Sequence, residues 1–470
     1  MATTTQILSE NPVSPRRTLL LQTSVTAGFV AAVAMWCGAF VVHLPGVGSP
    51  TAMTAGLLLL AQLIACAWVA KAAGRKLAIP TGLIGGLIAA AVNSLLLAAV
   101  LGEGADQTDI AGGVNLRDDW LLMLGGFFGV SALVGLIGGA IGRAMARADL
   151  PEPTPHLWLG RFAIVTAASV FPLLLVGGLV TSSDSGMAVP DWPTTYGENM
   201  FLFPYAYMAS DSRIFLEHTH RLFGTFVGIT TIVLTLWVLI ADPRRWAKFA
   251  AVGLLVLVIV QGLLGGVRVK ENLEILGAAH GVLGQIFFML IVAQTAWLSP
   301  AWRAIDRDAL EYSRKLKVFS TGFVHAAIFQ LITGATYRQL KGVEGAEVIS
   351  HSALGLHVLF SFVVVAFAFM AAAAATSAPS ETDPRKRTLN LSGKALMGVI
   401  VLQFALGWVV LAVVLSGGPR GRAPTAEELA ETPLVGVTET LLATAHQANG
   451  AIALALGAFI YAWVKLARKG

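Results

Sequence analysis

The sequence predicts an all-α protein that crosses a membrane about twelve times. Of its 470 residues, 56% are hydrophobic and only 13% are charged, and the mean hydropathy of +0.73 is far from that of a soluble domain. A helix needs about 20 apolar residues to cross the hydrocarbon. Stretches of that kind recur along the chain, at residues 18–44, 53–70, 78–101, 120–142, 161–181, 215–241, 249–267, 275–298, 318–337, 351–376, 395–416 and 444–464.

The basic residues predict the orientation of these spans. Alternate loops lie on opposite sides of the membrane, and one side collects 23 of the 32 Lys and Arg residues. Because Lys and Arg accumulate in cytoplasmic loops, we expect both termini in the cytoplasm and the protein in a bacterial inner membrane. The sequence pI of about 9.3 then reflects this bias and the lipid bilayer as a partner, and no nucleic-acid motif accompanies it.

A change in composition at residues 146–156, with Pro151, Pro153 and Pro155, predicts a boundary between two modules. Residues 1–150 would form a four-helix membrane module of unknown role, whose glycines suit close helix packing. Residues 151–470 would form an eight-helix domain. Cys37 and Cys66 fall inside spans of the first module, where small packed thiols are the expected role.

The second module repeats itself. Three Q-x-x-x-G units occupy the ends of alternate spans, and a histidine follows each unit at the start of the next span. A glutamine and a glycine four residues apart share one helical face, where the glycine admits close approach. The repeat predicts two pseudo-symmetric four-helix bundles, in residues 151–310 and 311–470. The units are Gln261 to Gly265, Gln330 to Gly334 and Gln403 to Gly407, with Gly177-Gly178 at a similar place in the first span.

The histidines that follow are His220, His280, His351 and His446, all expected at one membrane depth. Ionisable residues inside a span indicate function, and four imidazoles can supply two pairs of axial ligands for heme iron in a helical bundle. Helix-cap or interfacial histidines are the plain alternative, which fits one histidine better than four in repeated positions. A zinc or di-metal site fits less well, because it would need carboxylates or cysteines at ligand spacing.

Two histidines compete for the third position. His351 is favoured, because its spacing of 21 residues from Gln330 mirrors the 19 residues between Gln261 and His280. His357 is the alternative. The two are six residues apart, roughly 240° around a helix, so both cannot face one iron.

The first histidine lies in the sequence Glu217-His218-Thr219-His220-Arg221. Glu217 is one helical turn from His220, so its carboxylate could serve as an acid, a base or a charge stabiliser, or it could pair with Arg221 or cap the helix. Arg221, with its forked guanidinium, is expected to hold a heme propionate. Neither Ala443 nor Val348, three residues before His446 and His351, matches Glu217, so the two halves are unequal.

Residues 160–466 resemble the heme A synthase family. The resemblance rests on three segments, which are Gly177-Gly178-Leu179-Val180-Thr181, Ser185-Gly186-Met187-Ala188-Val189-Pro190-Asp191-Trp192-Pro193 and Glu217-x-x-His220-Arg221. Members of this family oxidise a methyl group of heme O to the formyl group of heme A and support the assembly of heme-copper cytochrome oxidases. The resemblance therefore implies an oxidoreductase with two four-helix bundles.

The resemblance also implies roles for individual residues. His220 and His280 would flank the substrate heme O, with Glu217 as the catalytic carboxylate, while His351 and His446 would hold a heme b that relays electrons. Heme O would come from heme O synthase, the electrons from an unidentified donor, and a homo-oligomer is compatible with the family.

Three features depart from the family pattern. Residues 182–213 contain no cysteine pair, Ser352 follows His351 where an arginine is frequent, and the first four spans have no counterpart in an eight-helix enzyme. A diheme quinol-oxidising cytochrome or a heme carrier for cytochrome assembly would use four histidines too. Neither alternative gives a reason for a carboxylate in one half only.

Overall fold

The computed structural model describes residues 15–106, 109–147, 155–306, 310, 312–377, 380–416, 424–428 and 431–465. Most of the predicted module boundary, at residues 148–154, lies outside these ranges.

Twelve helices in the described residues are long and apolar enough to cross a membrane, which confirms a polytopic all-α membrane protein. Each predicted stretch lies within or overlaps one helix, and most helices extend further because their end turns are polar. Two short helices, α6 (Tyr205–Met208) and α10 (Pro300–Arg303), lie in connections. The long helices are α1 (Pro15–Val42), α2 (Thr51–Ala73), α3 (Ala78–Leu101), α4 (Trp120–Met145), α5 (Pro155–Ser182), α7 (Ser212–Ala241), α8 (Arg245–Glu271), α9 (Glu274–Leu298), α11 (Arg314–Leu340), α12 (Glu347–Ser377), α13 (Lys386–Ser416) and α14 (Val437–Val464).

One connection adds a small sheet that the sequence analysis missed. Strands β1 (Gly102–Asp106) and β2 (Asp109–Leu116) pair antiparallel between α3 and α4, with Gly102 opposite Leu116. A Cβ on Gly102 would lie only 2.1 Å from the carbonyl oxygen of Leu202, so the strand backbone rests directly on the connection that precedes α7.

The long helices form three groups of four. Helices α1 to α4 pack together. In the second group α5, α7, α8 and α9 each contact two neighbours, and in the third group α11, α12, α13 and α14 do the same. Helices α5 and α9 of the second group meet α11 and α14 of the third. We call the second group the first half and the third group the second half; their pseudo-symmetry stays a prediction. We call the end with residues 183–211 the loop face and the opposite end the basic face.

The glycines of the first module pack its own helices against each other, as expected. A Cβ on Gly82 of α3 would lie 2.3 Å from the carbonyl oxygen of Gly135 on α4. The module meets the first half differently, through aromatic rings of α1. Trp36 stacks on Phe226 of α7 at 4.8 Å between ring centroids, and Phe29 packs edge-on against Phe162 of α5 at 5.3 Å. The helix that carries Glu217 and His220 is therefore braced by α1.

On the basic face, both halves contain the same motif, an Asp-Pro-Arg sequence between their second and third helices. In the first half Arg244 forms two side-chain bonds to Asp242, at 2.8 and 3.0 Å, and donates to the carbonyl of Trp297 at the end of α9 at 2.9 Å. Burial raises the pKa of Asp242, but the hydrogen bonds and charges of Arg244 and Arg303 lower it more, so the pKa lies below its usual value.

The second half repeats the motif in the turn between α12 and α13. Arg385 donates to Asp383 at 2.7 Å and to the carbonyl of Trp463 at the end of α14 at 3.3 Å. Each unit, which we call an Asp-Pro-Arg clamp, therefore ties the loop between the second and third helices of its half to the end of the fourth.

Replacing Trp36 with Ala is expected to lower stability, because the ring is only 1% exposed and touches two phenylalanines of α7. Loss of a buried tryptophan costs about 3 kcal/mol in a packed core, or a few degrees in the unfolding midpoint. Thermal unfolding in detergent measures this. The control is Trp68→Ala on α2, whose side chain is 66% exposed and should not change the midpoint. Equal midpoints for the two variants would show that α1 does not brace α7.

A candidate site of paired histidines

Four half-buried imidazoles form two facing pairs inside the bundle. The rings of His220 on α7 and His280 on α9 have centroids 6.2 Å apart, and those of His357 on α12 and His446 on α14 are 6.3 Å apart. Both pairs line one continuous, mostly apolar cavity of about 670 Å³ that extends through both halves. Cavities of this size hold drug-sized and cofactor-sized ligands.

The second pair corrects the placement expected for His351. His351 is exposed, and its Nδ1 bonds to the carbonyl of Glu347 in its own helix at 2.7 Å. His357 instead faces His446. The equal-spacing argument failed because the connection before α12 has six residues, 341–346, against two before α9, and because α12 also runs one turn further before its histidine.

A glycine on the preceding span lies against each of the four rings. A Cβ would lie 2.9 Å from the Cε1 of His220 if placed on Gly177, and 2.7 Å from that of His357 if placed on Gly334. The corresponding distances are 3.2 Å for Gly265 with His280 and 3.2 Å for Gly407 with His446. Real Cβ atoms essentially never come closer than 3.0 Å to such a neighbour. Glycine is therefore what lets each ring pack against the adjacent helix.

The glutamines of the repeat hold the backbone or the ring of the same histidines. Gln261 Nε2 donates to the carbonyl of His280 at 2.9 Å, and Gln330 Nε2 donates to that of His357 at 2.8 Å. Gln403 lies 3.3 Å from the Nδ1 of His446. The Nδ1 of His357 also lies 3.0 Å from the carbonyl oxygen of Gln330. That bond requires a proton on Nδ1 and leaves Nε2 with a free lone pair, the state needed to bind a metal.

The ring separations fit a metal between each pair. The ring centroids of His220 and His280 are 6.2 Å apart. Half of that distance is close to the sum of a metal–imidazole bond of about 2 Å and the roughly 1 Å between a ring nitrogen and the ring centre. No third carboxylate, cysteine or histidine completes a metal cluster in the described parts of the chain. Two facing imidazoles in a large apolar cavity suit the two axial positions of a heme, whose porphyrin supplies the remaining ligands.

Glu217 lies under the loop-face connection before α7. It is 4% exposed, lines the cavity, and both of its carboxylate oxygens accept hydrogen bonds at 2.7 Å, from the Val189 N–H and from Arg221 Nη2. Pairing with Arg221, one of the structural alternatives, is thus observed. Both oxygens of this buried carboxylate are therefore hydrogen-bonded, one of them to a permanent cation.

Arg221 does not reach freely into the cavity, as its expected role with a propionate would require. Its Nη1 donates to the carbonyls of Asp191 at 2.6 Å and Thr194 at 3.0 Å, and its Nη2 donates to the carbonyl of Val189 at 3.0 Å as well as to Glu217. Arg221 therefore fastens residues 189–194 over Glu217.

The same connection holds itself together. The carboxylate of Asp191 accepts from the N–H groups of Tyr196 at 2.7 Å and Gly197 at 2.8 Å. Burial raises the pKa of Asp191, but these bonds, one from the Thr194 side chain and the charge of Arg221 lower it below its usual value. His218 does not line the cavity, and its Nδ1 lies 3.2 Å from the Thr195 hydroxyl.

The second half lacks this arrangement. With His357 aligned to His220, the positions of Glu217 and Arg221 hold Leu354 and Val358, and both line the cavity. The two halves therefore differ at these positions. The residue that corresponds to Glu217 is Leu354, three residues before His357, and not Val348, three residues before His351.

The sequence analysis overlooked the Asp-Pro-Arg clamps, although the signal was present. The same three letters occur at residues 242–244 and 383–385, at the same place in the two halves.

Comparisons with known proteins match a range that begins in α5 and includes the rest of the first half. The sequence profile of the COX15-CtaA family, described as cytochrome oxidase assembly protein, matches residues 160–346. Residues 160–346 are therefore similar to the COX15-CtaA family. The resemblance drawn from the sequence is confirmed there.

Individual relatives are named heme A synthase. One from a Caulobacter species is 26% identical over 319 residues, covering 57% of this chain and 90% of that protein. One from Shouchella clausii is 30% identical over 147 residues, covering 30% of this chain and 46% of that protein. One from Alkalihalophilus pseudofirmus is 28% identical over 176 residues, covering 37% and 55%. The chain spans about half the length of the latter two relatives.

Substitution of His357 and His351 by Ala, one at a time, separates the two candidates. His357→Ala should abolish the reduced-minus-oxidised absorbance of a heme in the second half, because His446 would lose the ring that faces it. His351→Ala is the matched control and should keep that absorbance, because this exposed ring bonds only to its own helix. The opposite pair of spectra would restore His351 as the ligand.

Proposed function

We propose that this protein oxidises the methyl group of heme O to the formyl group of heme A and so supports the assembly of heme-copper cytochrome oxidases. The observation that supports it best is that one of the two facing histidine pairs, and not the other, lies beside a buried carboxylate that is paired with an arginine. The names of the relatives agree with this proposal. A diheme cytochrome or a heme carrier would need the histidine pairs but would have no use for the carboxylate.

In this proposal His220 and His280 would hold the substrate heme O, whose iron would supply the oxidising chemistry together with an oxidant from outside the protein. The protein excludes water by closing the loop face. Val189 is fully buried and the connection is fastened by Arg221. Glu217, one turn from His220, lies beside the cavity, where its carboxylate can stabilise positive charge or accept a proton from the reacting group.

The second half would hold a heme b between His357 and His446 that relays electrons to the first. At the positions of Glu217 and Arg221 its cavity wall carries Leu354 and Val358, which suits a heme that is held and not transformed. Both sites open into the same cavity, so no wall of protein separates them. Heme O synthase is the proposed source of the substrate, and the electron donor is not identified by these residues.

Glu217→Gln is expected to lower heme A formation at least about 100-fold, the scale of general acid–base or electrostatic catalysis, while both hemes stay bound. Heme extracted from a host that makes heme O but lacks its own heme A synthase would be analysed by chromatography. Since the substitution also weakens the bond to Arg221, heme content and protease resistance of residues 183–211 are measured on the same sample.

The control is Glu347→Gln, which removes an exposed carboxylate on the loop face of the other half and should leave heme A formation unchanged. Normal heme A yield in Glu217→Gln with an intact loop would remove the catalytic role.

We further propose that residues 151–470 carry the chemistry and that residues 1–150 support them. The histidines, Glu217 and the loop-face connection all follow Pro155, and α1 contributes only packing, through Phe29 and Trp36, to α5 and α7. Four spans return the chain to the same side of the membrane, so their removal keeps the proposed orientation, with both termini in the cytoplasm of a bacterial cell.

A protein that begins at Pro155 should therefore insert, bind heme and keep part of its activity, with a lower unfolding midpoint because α5 and α7 lose their contacts with α1. Membrane level, heme content and thermal unfolding are compared with the full chain. Normal accumulation without bound heme would show that the first module is part of the heme site.

A further inference from the structure

Four cationic side chains line the cavity, Arg221, Arg268, Arg338 and Lys341. Three of them have partners in the protein. Arg221 fastens the loop-face connection, Arg338 bonds to the carbonyl of Thr181 and to Asp184, and Lys341 donates to the carbonyl of Val414. Arg268 also has a partner, since its Nη1 donates to the carbonyl of Gly186 at 2.9 Å, but unlike Arg221 and Arg338 it forms no ion pair with the residues that the structure describes.

Arg268 lies in the last turn of α8, one turn beyond Gly265 towards the loop face. Gly265 is the residue that packs against the His280 ring. The guanidinium lies within electrostatic range of His220, His280 and Glu217. It therefore belongs to the first half of the cavity and sits at the end of the histidine pair nearest the loop face.

Two glycines leave room for this guanidinium. A Cβ on Gly186 would lie 2.5 Å from Arg268 Nη1, and a Cβ on Gly277 would lie 2.9 Å from Nε. The first glycine comes from the loop-face connection and the second from α9, so two separate elements make space for one cation. Arg268 has the charges of Glu217 and Glu274 within electrostatic range but no carboxylate at ion-pair distance among the described residues, so its fork can still donate to an added carboxylate.

We propose that Arg268 binds a propionate carboxylate of the heme held by His220 and His280, the role that the sequence analysis gave to Arg221. A planar apolar ligand with carboxylate tails matches an apolar cavity with one available guanidinium at its edge, and the guanidinium fork fits a carboxylate. The proposal rests on the heme-binding part of the proposed function. Arg268 would set the orientation of the porphyrin in its plane by holding one edge at the loop face.

The test compares heme b with its dimethyl ester, which has the same iron and ring but no carboxylate charge. Full-length His357→Ala protein is purified from a heme-deficient host, so that only the first pair binds, and both compounds are titrated by the low-spin absorbance. The protein should bind heme b at least about tenfold more tightly than the ester, the scale of a charge-assisted hydrogen bond.

Adding Arg268→Gln should abolish this preference, because it lowers the affinity for heme b and leaves the affinity for the ester unchanged. Arg268→Lys should keep part of the preference, because the charge remains but the forked guanidinium is lost. The control Lys270→Gln removes an exposed charge from the same turn and should keep the full preference. An unchanged preference in Arg268→Gln, or parallel loss of both compounds in Arg268→Gln and Arg268→Lys, overturns the proposal. Because no heme A is formed in this assay, its outcome is independent of the proposed oxidation.

Discussion

The close approach of a glycine to each of the four cavity-lining imidazoles is the constraint on which the rest of the structure depends. Lipid cannot orient a polar ring, so the ring has to be positioned by protein atoms on the adjacent helix. At Gly177 and Gly334 even one added carbon would come within 3.0 Å of the ring. The spacing of the two helices therefore determines where each ring lies. The positions of the rings in turn determine the separation within each pair, and the same dependence holds at all four histidines.

The two halves use this common frame for different purposes, and the difference lies at the loop face. Arg221 and Glu217 form an ion pair in which each partner also bonds to the backbone of the connection above them. A buried ion pair contributes little more net stability than a pair of apolar side chains of similar size would. It does fix one arrangement of the chain, because each partner has several defined hydrogen bonds. In the other half, Leu354 and Val358 occupy the positions of Glu217 and Arg221, and these apolar residues cannot form an ion pair.

The fold could be predicted well from the sequence, since long apolar stretches leave few choices for a chain in a bilayer. Polar end turns were missed, as in α13, which begins at Lys386 and not near residue 395. The sequence analysis ranked His357 second because it compared spacings along the chain. Equal spacings indicate equal positions in space only when the connections between helices have equal lengths. Arg268 gave no signal, because a single arginine at the end of a span is usually a membrane-surface residue, and its glycine neighbours come from distant segments.

The Asp-Pro-Arg clamps have a consequence for biogenesis. Each joins a turn made early in its half to the last carbonyls of the fourth helix, Trp297 in one case and Trp463 in the other. A half cannot close on the basic face until its fourth helix has been synthesised and inserted. Since domains fold in order from the ribosome, the first half can be complete while the second is still being translated. The clamps thus divide the insertion of the eight helices into two separate closures.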